Sequence, residues 1–193
     1  VRQRNPARLH KVTPSGLASS AESRTVTTRS RTLMIAVGAV AVLAGTIVAK
    51  PPPIYIWNSS ASVPVGLYRV RSAGSHYVTA LLAIQPPEPL ATYLDRNGYL
   101  PTGFPLLKRA LALPGQKVCR NSLTIDVDGV EVGQAQERDR TGRPLPAWNG
   151  CRVIADGDIF VMNWQSTDSL DSRYFGPLPA SAVIGRAVPV WTN

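Results

Sequence analysis

The chain has 193 residues, 44% of them hydrophobic and 17% charged, which excludes a disordered polyelectrolyte and fits one compact domain with an appendage. Its net charge of +9 resembles a nucleic-acid signature only until it is divided by position. Residues 1–31 carry Arg2, Arg4, Arg8, Lys11, Arg24, Arg29 and Arg31 against Glu22 alone, a balance of +6, which leaves +3 for the rest of the chain.

This basic tail runs into TLMIAVGAVAVLAGTIVA, residues 32–49, which contains no charged residue. As a helix it would be about 27 Å long at ~1.5 Å per residue, close to the ~30 Å of a bilayer core. The run is too long for the apolar region of a removed signal peptide, and Lys50 with a triple proline follows it. Tyr55 and Trp57 then stand where an aromatic belt would lie. The expected organisation is a cytoplasmic tail over 1–31, an uncleaved single-pass anchor over 32–50 and an extracytoplasmic domain over 51–193. Cationic flanks stay inside, so the tail reads as a topology determinant, with DNA binding as its minor reading.

Beyond the anchor, NSSASVPVGLYRV (58–70) crowds three serines just before a proline and a glycine. The remaining apolar residues alternate or form short runs between Gly and Pro, the pattern of a mainly β fold. Predicted strands are 67–71, 78–84, 106–111, 123–127, 130–132, 159–162 and 183–191. Asp128-Gly129, set between alternating apolar residues, predicts a type I′ hairpin. One helix is expected over 89–96, stopped by Asn97-Gly98. Residues 133–150, with QERDR and TGRPLPAWNG, read as a solvated excursion.

Cys119 and Cys151 both fall in the domain expected outside, where oxidation would allow a disulfide; the alternative is two buried thiols that never meet. No metal or other cofactor is expected, since this domain has one histidine, His76, and no CxxC or HxxxH spacing.

A histidine-dependent hydrolase is disfavoured by the same count, and no GxSxG elbow or phosphate loop occurs. Lysine is the available substitute base. Lys108 interrupts the apolar run FPLLKRALALP, where strand alternation sends Lys108 and Arg109 to opposite faces. Either cation could take the buried side. A lysine there would lose solvation, and its pKa would fall toward the range in which a neutral amine can deprotonate a serine; the plain alternative is a surface lysine. STDSLDSRYFGPLP (166–179) adds Asp171, Arg173 and hydroxyl groups, which read equally as a salt bridge ordering a loop.

Together NSSASVPVGLY, KRALALPGQKV and SLDSRYFG resemble the signal peptidase I superfamily of membrane-anchored Ser-Lys endopeptidases, most closely its TraF-type branch of conjugative pilin-processing peptidases. GRAVPVW (185–191) is similar to that family's last strand. The resemblance implies a β-rich catalytic domain with few short helices. It implies Ser62 as nucleophile, Lys108 as general base, Ser60 as oxyanion donor with the Ser62 N–H, Ser169 orienting the amine, and Asp171 and Arg173 supporting the site. It further implies a periplasmic domain on the bacterial inner membrane, a pilin precursor or other membrane-bound preprotein as substrate, and the conjugation (type IV secretion) machinery and membrane lipid as partners, with no nucleic acid. Ordinary signal peptidases differ by a methionine after the nucleophile and by an acidic stretch where this chain reads NWQSTD (163–168). A general signal peptidase and a non-catalytic anchored scaffold are the competing expectations.

Overall fold

The computed structural model describes residues 22–49 and 53–193, which form two units divided between Pro51 and Pro52. The readings placed on residues 1–21 and on Lys50 lie outside the described residues.

Among the described residues the first unit consists of one helix, α1 (Glu22–Ala49), which begins ten residues earlier than the apolar run alone predicts. Residues Thr28–Ile47 are long and apolar enough to cross a membrane by length and composition.

The second unit is mainly β. Its elements in order are β1 (Tyr55–Asn58), β2 (Gly66–Arg71), β3 (Leu81–Ile84), α2 (Leu90–Arg96), β4 (Leu106–Ala112), β5 (Lys117–Asn121) and β6 (Thr124–Val127). There follow β7 (Val130–Gln134), β8 (Gly150–Val153), β9 (Asp158–Val161), α3 (Ser172–Phe175), β10 (Leu178–Pro179), a single 3₁₀ turn (Ala180–Ala182) and β11 (Val183–Thr192). Seven strands make one antiparallel sheet in the order β1-β2-β11-β3-β4-β9-β10, and four make another in the order β7-β6-β5-β8.

The larger sheet is buried on both faces at its centre. β3 is the run Leu-Leu-Ala-Ile with every residue buried. Leu82 and Ile84 pack with Leu90 and Leu94 of α2, while Leu81 and Ala83 pack with Tyr68, Leu107 and Ala187 on the other side. The smaller sheet joins a third cluster in which Val118, Ile125 and Val127 meet Phe160 and Met162. At about 25 cal/mol per Å² of apolar surface removed from water, such burial is the main term holding the sheets in register.

Local chemistry sets the turns. Asp128 (φ 51°) and Gly129 (φ 82°) both take left-handed values between Val127 and its partner Val130, as a type I′ turn requires. Gly66 opens β2 with φ +150°, and a Cβ there would lie 2.1 Å from the Trp191 carbonyl, so only glycine lets β2 pass this close to β11. Pro89 caps α2 and Gly98 (φ 69°) follows its end.

Two expectations need correction and two findings add to them. The strand read over 78–84 starts at Leu81, because Thr79 takes φ 78° and the preceding residues turn. Tyr55 and Trp57 lie in a strand of the β unit, with Trp57 stacked on Trp191 at 5.7 Å. β5 and β8 were not anticipated: β8 (GCRV) is an exposed edge strand with no apolar alternation, held by its ladder to β5. The excursion over 133–150 is more than solvated loop, since Ala135 is buried and Trp148 packs on Phe160 at 6.3 Å.

Cys119 and Cys151 face each other directly in the β5–β8 register and form a disulfide across a sequence separation of 32. In the chain-entropy model such a loop stabilises by about 3–4 kcal/mol. Replacing both cysteines by serine should lower the urea midpoint of the β unit by an amount that corresponds to at most that figure; an unchanged midpoint would show that the edge strand needs no covalent tie.

Candidate active site

Each of the three motifs reaches the site by a different structural route. Ser60 and Ser62 sit in the turn between β1 and β2, and the preceding residue Asn58 holds that turn. Its side-chain amide donates to the carbonyls of Ser60 (2.7 Å), Val63 (3.0 Å) and Pro64 (3.0 Å), while its Oδ1 accepts from the Ser60 N–H at 3.2 Å. Tyr68 Oη adds a bond to the Pro64 carbonyl at 2.7 Å. A buried asparagine thus replaces the backbone ladder where the chain leaves β1.

Within the turn the two hydroxyls are turned toward each other. Ser60 Oγ donates to Ser62 Oγ at 3.0 Å and accepts from the Ser62 N–H at 3.2 Å. Both donors are therefore occupied within the turn, the Ser62 N–H by Ser60 Oγ and the Ser60 hydroxyl by Ser62 Oγ.

Lys108 lies in the middle of β4, opposite Leu82 of β3, and only 4% of it is exposed. Arg109 faces the other way and is partly exposed. Asn163, just past β9, fastens β4 on both sides of the lysine: its Nδ2 donates to the Leu107 carbonyl at 3.0 Å and its Oδ1 accepts from the Arg109 N–H at 3.0 Å. The amine Nζ donates to Ser169 Oγ at 2.7 Å. Burial pushes the Lys108 pKa down from 10.5 to about 8; the nearby Asp171 carboxylate opposes this and the Arg173 guanidinium adds to it.

Ser169, itself buried, is placed by a compact ion pair. Arg173 Nε and Nη2 donate to the Asp171 carboxylate at 2.8 and 2.9 Å, and Nη2 also reaches the carbonyls of Ser169 (3.0 Å) and Ser166 (2.8 Å). Nη1 donates to the Gln134 carbonyl at 3.0 Å, and Asp171 Oδ2 also accepts from the Asn163 N–H at 3.1 Å. Asp171 caps the short helix α3 by accepting from the Arg173 N–H. Each charge is neutralised and each guanidinium nitrogen donates a hydrogen bond, the condition under which a buried pair is tolerable.

These segments meet at one cleft of about 590 Å³ lined by Ser60, Ser62, Lys108, Ser169 and apolar residues such as Trp57 and Phe104. Among the described residues the hydrogen bond made by Lys108 Nζ goes to Ser169 and not to Ser62. Ser60 and Ser62 also border a second, polar cavity of about 310 Å³ walled by Tyr99, Gln136, Asp139 and Arg143. Asp139 knots this wall: it accepts from Tyr99 Oη at 2.6 Å and Arg143 Nε at 2.8 Å, which holds its carboxyl well below the usual range. The loop read as a solvated excursion therefore walls the site. Asn58, Asn163 and this loop are the site components that sequence reading missed; only Asn58, beside the serine cluster, carried a local signal, that of a side chain able to close an Asx turn.

The sequence matches the family signal peptidase, peptidase S26, over residues 26–192. The chain belongs to that family. Over 161 residues it is 35% identical to the conjugal transfer protein TraF of Agrobacterium fabrum, covering 78% of this chain and 90% of that one. It is 34% identical over 175 residues to the probable conjugal transfer protein TraF of Sinorhizobium fredii, covering 85% and 92%. It is also 32% identical over 108 residues to the probable signal peptidase I-1 of Synechocystis sp., covering 56% and 50%. The resemblance carried by the three motifs thus holds at the level of the family.

Two stability consequences follow from the buried charges. Because the folded pKa of Lys108 lies below its unfolded value, the unfolded chain binds the extra proton between about pH 8 and 10.5, and stability rises with pH across that window. At pH 7 the charged amine costs about 3 kcal/mol. Lys108→Met should therefore unfold at higher urea than the parent at pH 7, with the gap closing toward pH 10.5; a gap independent of pH would contradict the burial penalty. Asp171→Asn strips Arg173 of its counter-charge and should cost about 3–5 kcal/mol in the same assay.

Proposed function

We propose that the protein is a membrane-anchored serine endopeptidase with a Ser62–Lys108 dyad that processes a conjugative pilin precursor by acyl transfer. One observation carries the reading: a buried lysine amine, its pKa near 8, lines the same cleft as a serine whose turn holds two oxyanion donors. The family assignment and the TraF names of two relatives support the substrate class.

The cycle starts with neutral Lys108 taking the proton from Ser62 Oγ as that oxygen bonds to the scissile carbonyl carbon. For this the amine turns from Ser169 toward Ser62, a tightening that apo sites commonly need when substrate binds. The developing oxyanion takes the Ser62 N–H from Ser60 Oγ and the Ser60 hydroxyl from Ser62 Oγ. The C–N bond then breaks as Lys108 gives its proton to the leaving amine; water or an amino group of the substrate, losing a proton to Lys108, next attacks the acyl carbon, and that proton returns to Ser62 Oγ as the acyl–oxygen bond breaks. Ser169 positions Lys108, and the Asp171–Arg173 pair fixes the loop bearing Ser169. The reading places the β unit in the periplasm of a bacterial inner membrane, beside the conjugation machinery.

In membranes holding a radiolabelled pilin precursor, Ser62→Ala and Lys108→Ala should each abolish cleavage in folded protein, and Ser60→Ala should slow it about 10²–10³-fold. Retained cleavage in the first two would sink the dyad. Processing of many exported preproteins instead of pilin would indicate a general signal peptidase, and no cleavage by the parent chain would indicate a scaffold. The proton count adds a separate check: kcat/KM should rise about tenfold per pH unit below about pH 8 and level off above it, following the neutral fraction of Lys108.

A further inference from the structure

On another part of the β unit a cavity of about 630 Å³ is lined by Arg71, Arg109 and Arg186, together with Tyr68, Tyr77 and Thr79 and no carboxylate. Arg71 and Arg186 stand directly opposite each other in the β2–β11 register, a like-charge pair that destabilises an antiparallel ladder unless something neutralises it. Arg109 reaches the same cavity from β4, where its Nη1 donates to the Thr79 carbonyl at 3.2 Å. The Arg186 guanidinium lies 5.8 Å from the Tyr77 ring, a contact that orients it without using up its donors.

The contrast with the rest of the unit is informative. The ion pairs among the described residues, Arg140–Asp168, Arg143–Asp139 and Arg173–Asp171, all belong to the serine-lysine site and its wall. The three arginines here share one cavity and have no acidic partner among the described residues. Guanidinium groups that line one cavity without a carboxylate present forked donors suited to a phosphate oxyanion.

We infer that Arg71, Arg109 and Arg186 form a binding site for the phosphate of an anionic phospholipid headgroup. A lipid is favoured over a soluble anion because the same chain carries a candidate membrane span that ends at Ile47, eight residues before β1 begins, so headgroup phosphates are the anions that it meets at high local concentration. Tyr77, half exposed beside Arg186, supplies the amphipathic ring typical of such a surface. The site is independent of the dyad, and its occupancy is read without any peptidase assay.

The test uses the full chain in nanodiscs of phosphatidylcholine with a minor fraction of phosphatidylglycerol, measuring by mass spectrometry the lipid retained on the protein. The parent should retain phosphatidylglycerol in excess of its share in the disc. Arg71→Gln, Arg109→Gln and Arg186→Gln should each reduce that excess about fivefold, the effect of one basic group near an anionic surface. Unchanged retention in the triple variant overturns the proposal. A photo-crosslinking phosphatidylglycerol applied to the parent chain avoids any folding defect of the variants: labelling within residues 71–81 or 185–192 supports the site, and labelling confined elsewhere overturns it. In a parallel arm, inorganic phosphate at constant ionic strength should leave the melting temperature unchanged. A rise there without lipid retention would assign the site to a small soluble anion, and binding of polyglutamate alone would assign it to an acidic protein partner; either result overturns the lipid source.

Discussion

A single unfavourable act organises the β unit: an amine is taken out of water and given one hydroxyl, that of Ser169, as partner. The cost appears directly in its lowered proton affinity. Much of the surrounding architecture can be understood as what is required to keep that amine in place. β4 must run through the middle of a sheet, between β3 and β9, for its side chain to be covered. The strand must also hold its register there, and Asn163 bridges the backbone on either side of the lysine.

The neighbouring ion pair explains why the amine does not simply recover its charge. A lone Asp171 would draw a proton onto Lys108, but Arg173 neutralises it with two donors while clamping the carbonyls of Ser166 and Ser169. Electrostatic balance and loop geometry thus come from the same guanidinium. Arg120 extends the arrangement by donating to the Arg173 carbonyl at 2.6 Å, which ties β5 of the smaller sheet to α3. The two sheets are therefore joined through the site's own support as well as through apolar packing.

The parts of this structure legible in the sequence are those governed by local rules. Alternation marked most of the larger sheet, the Asp128-Gly129 turn announced its hairpin, and the apolar interruption at Lys108 pointed to a buried cation. The parts that were not legible depend on partners distant in the chain. β8 has no pattern of its own and exists through pairing with β5. Asn163 has no meaning until β4 lies beside it, and the loop over 133–150 looks like surface until Asp139 gathers Tyr99, Thr141 and Arg143 around its carboxylate. Short motifs nominated the candidate site residues, while the residues that hold them still are specified only by tertiary contact.

The covalent bond between Cys119 and Cys151 encloses the segment that supplies β6, β7 and the polar wall beside Ser62. In a reducing environment the edge strand β8 would keep only its ladder, and the thirty-odd residues between the cysteines would gain freedom that reaches the mouth of the site. Oxidation state is thereby written into the shape of the cleft. Because this bond forms only where an electron acceptor for thiols is at hand, the contour of the cleft depends on the compartment that the β unit occupies.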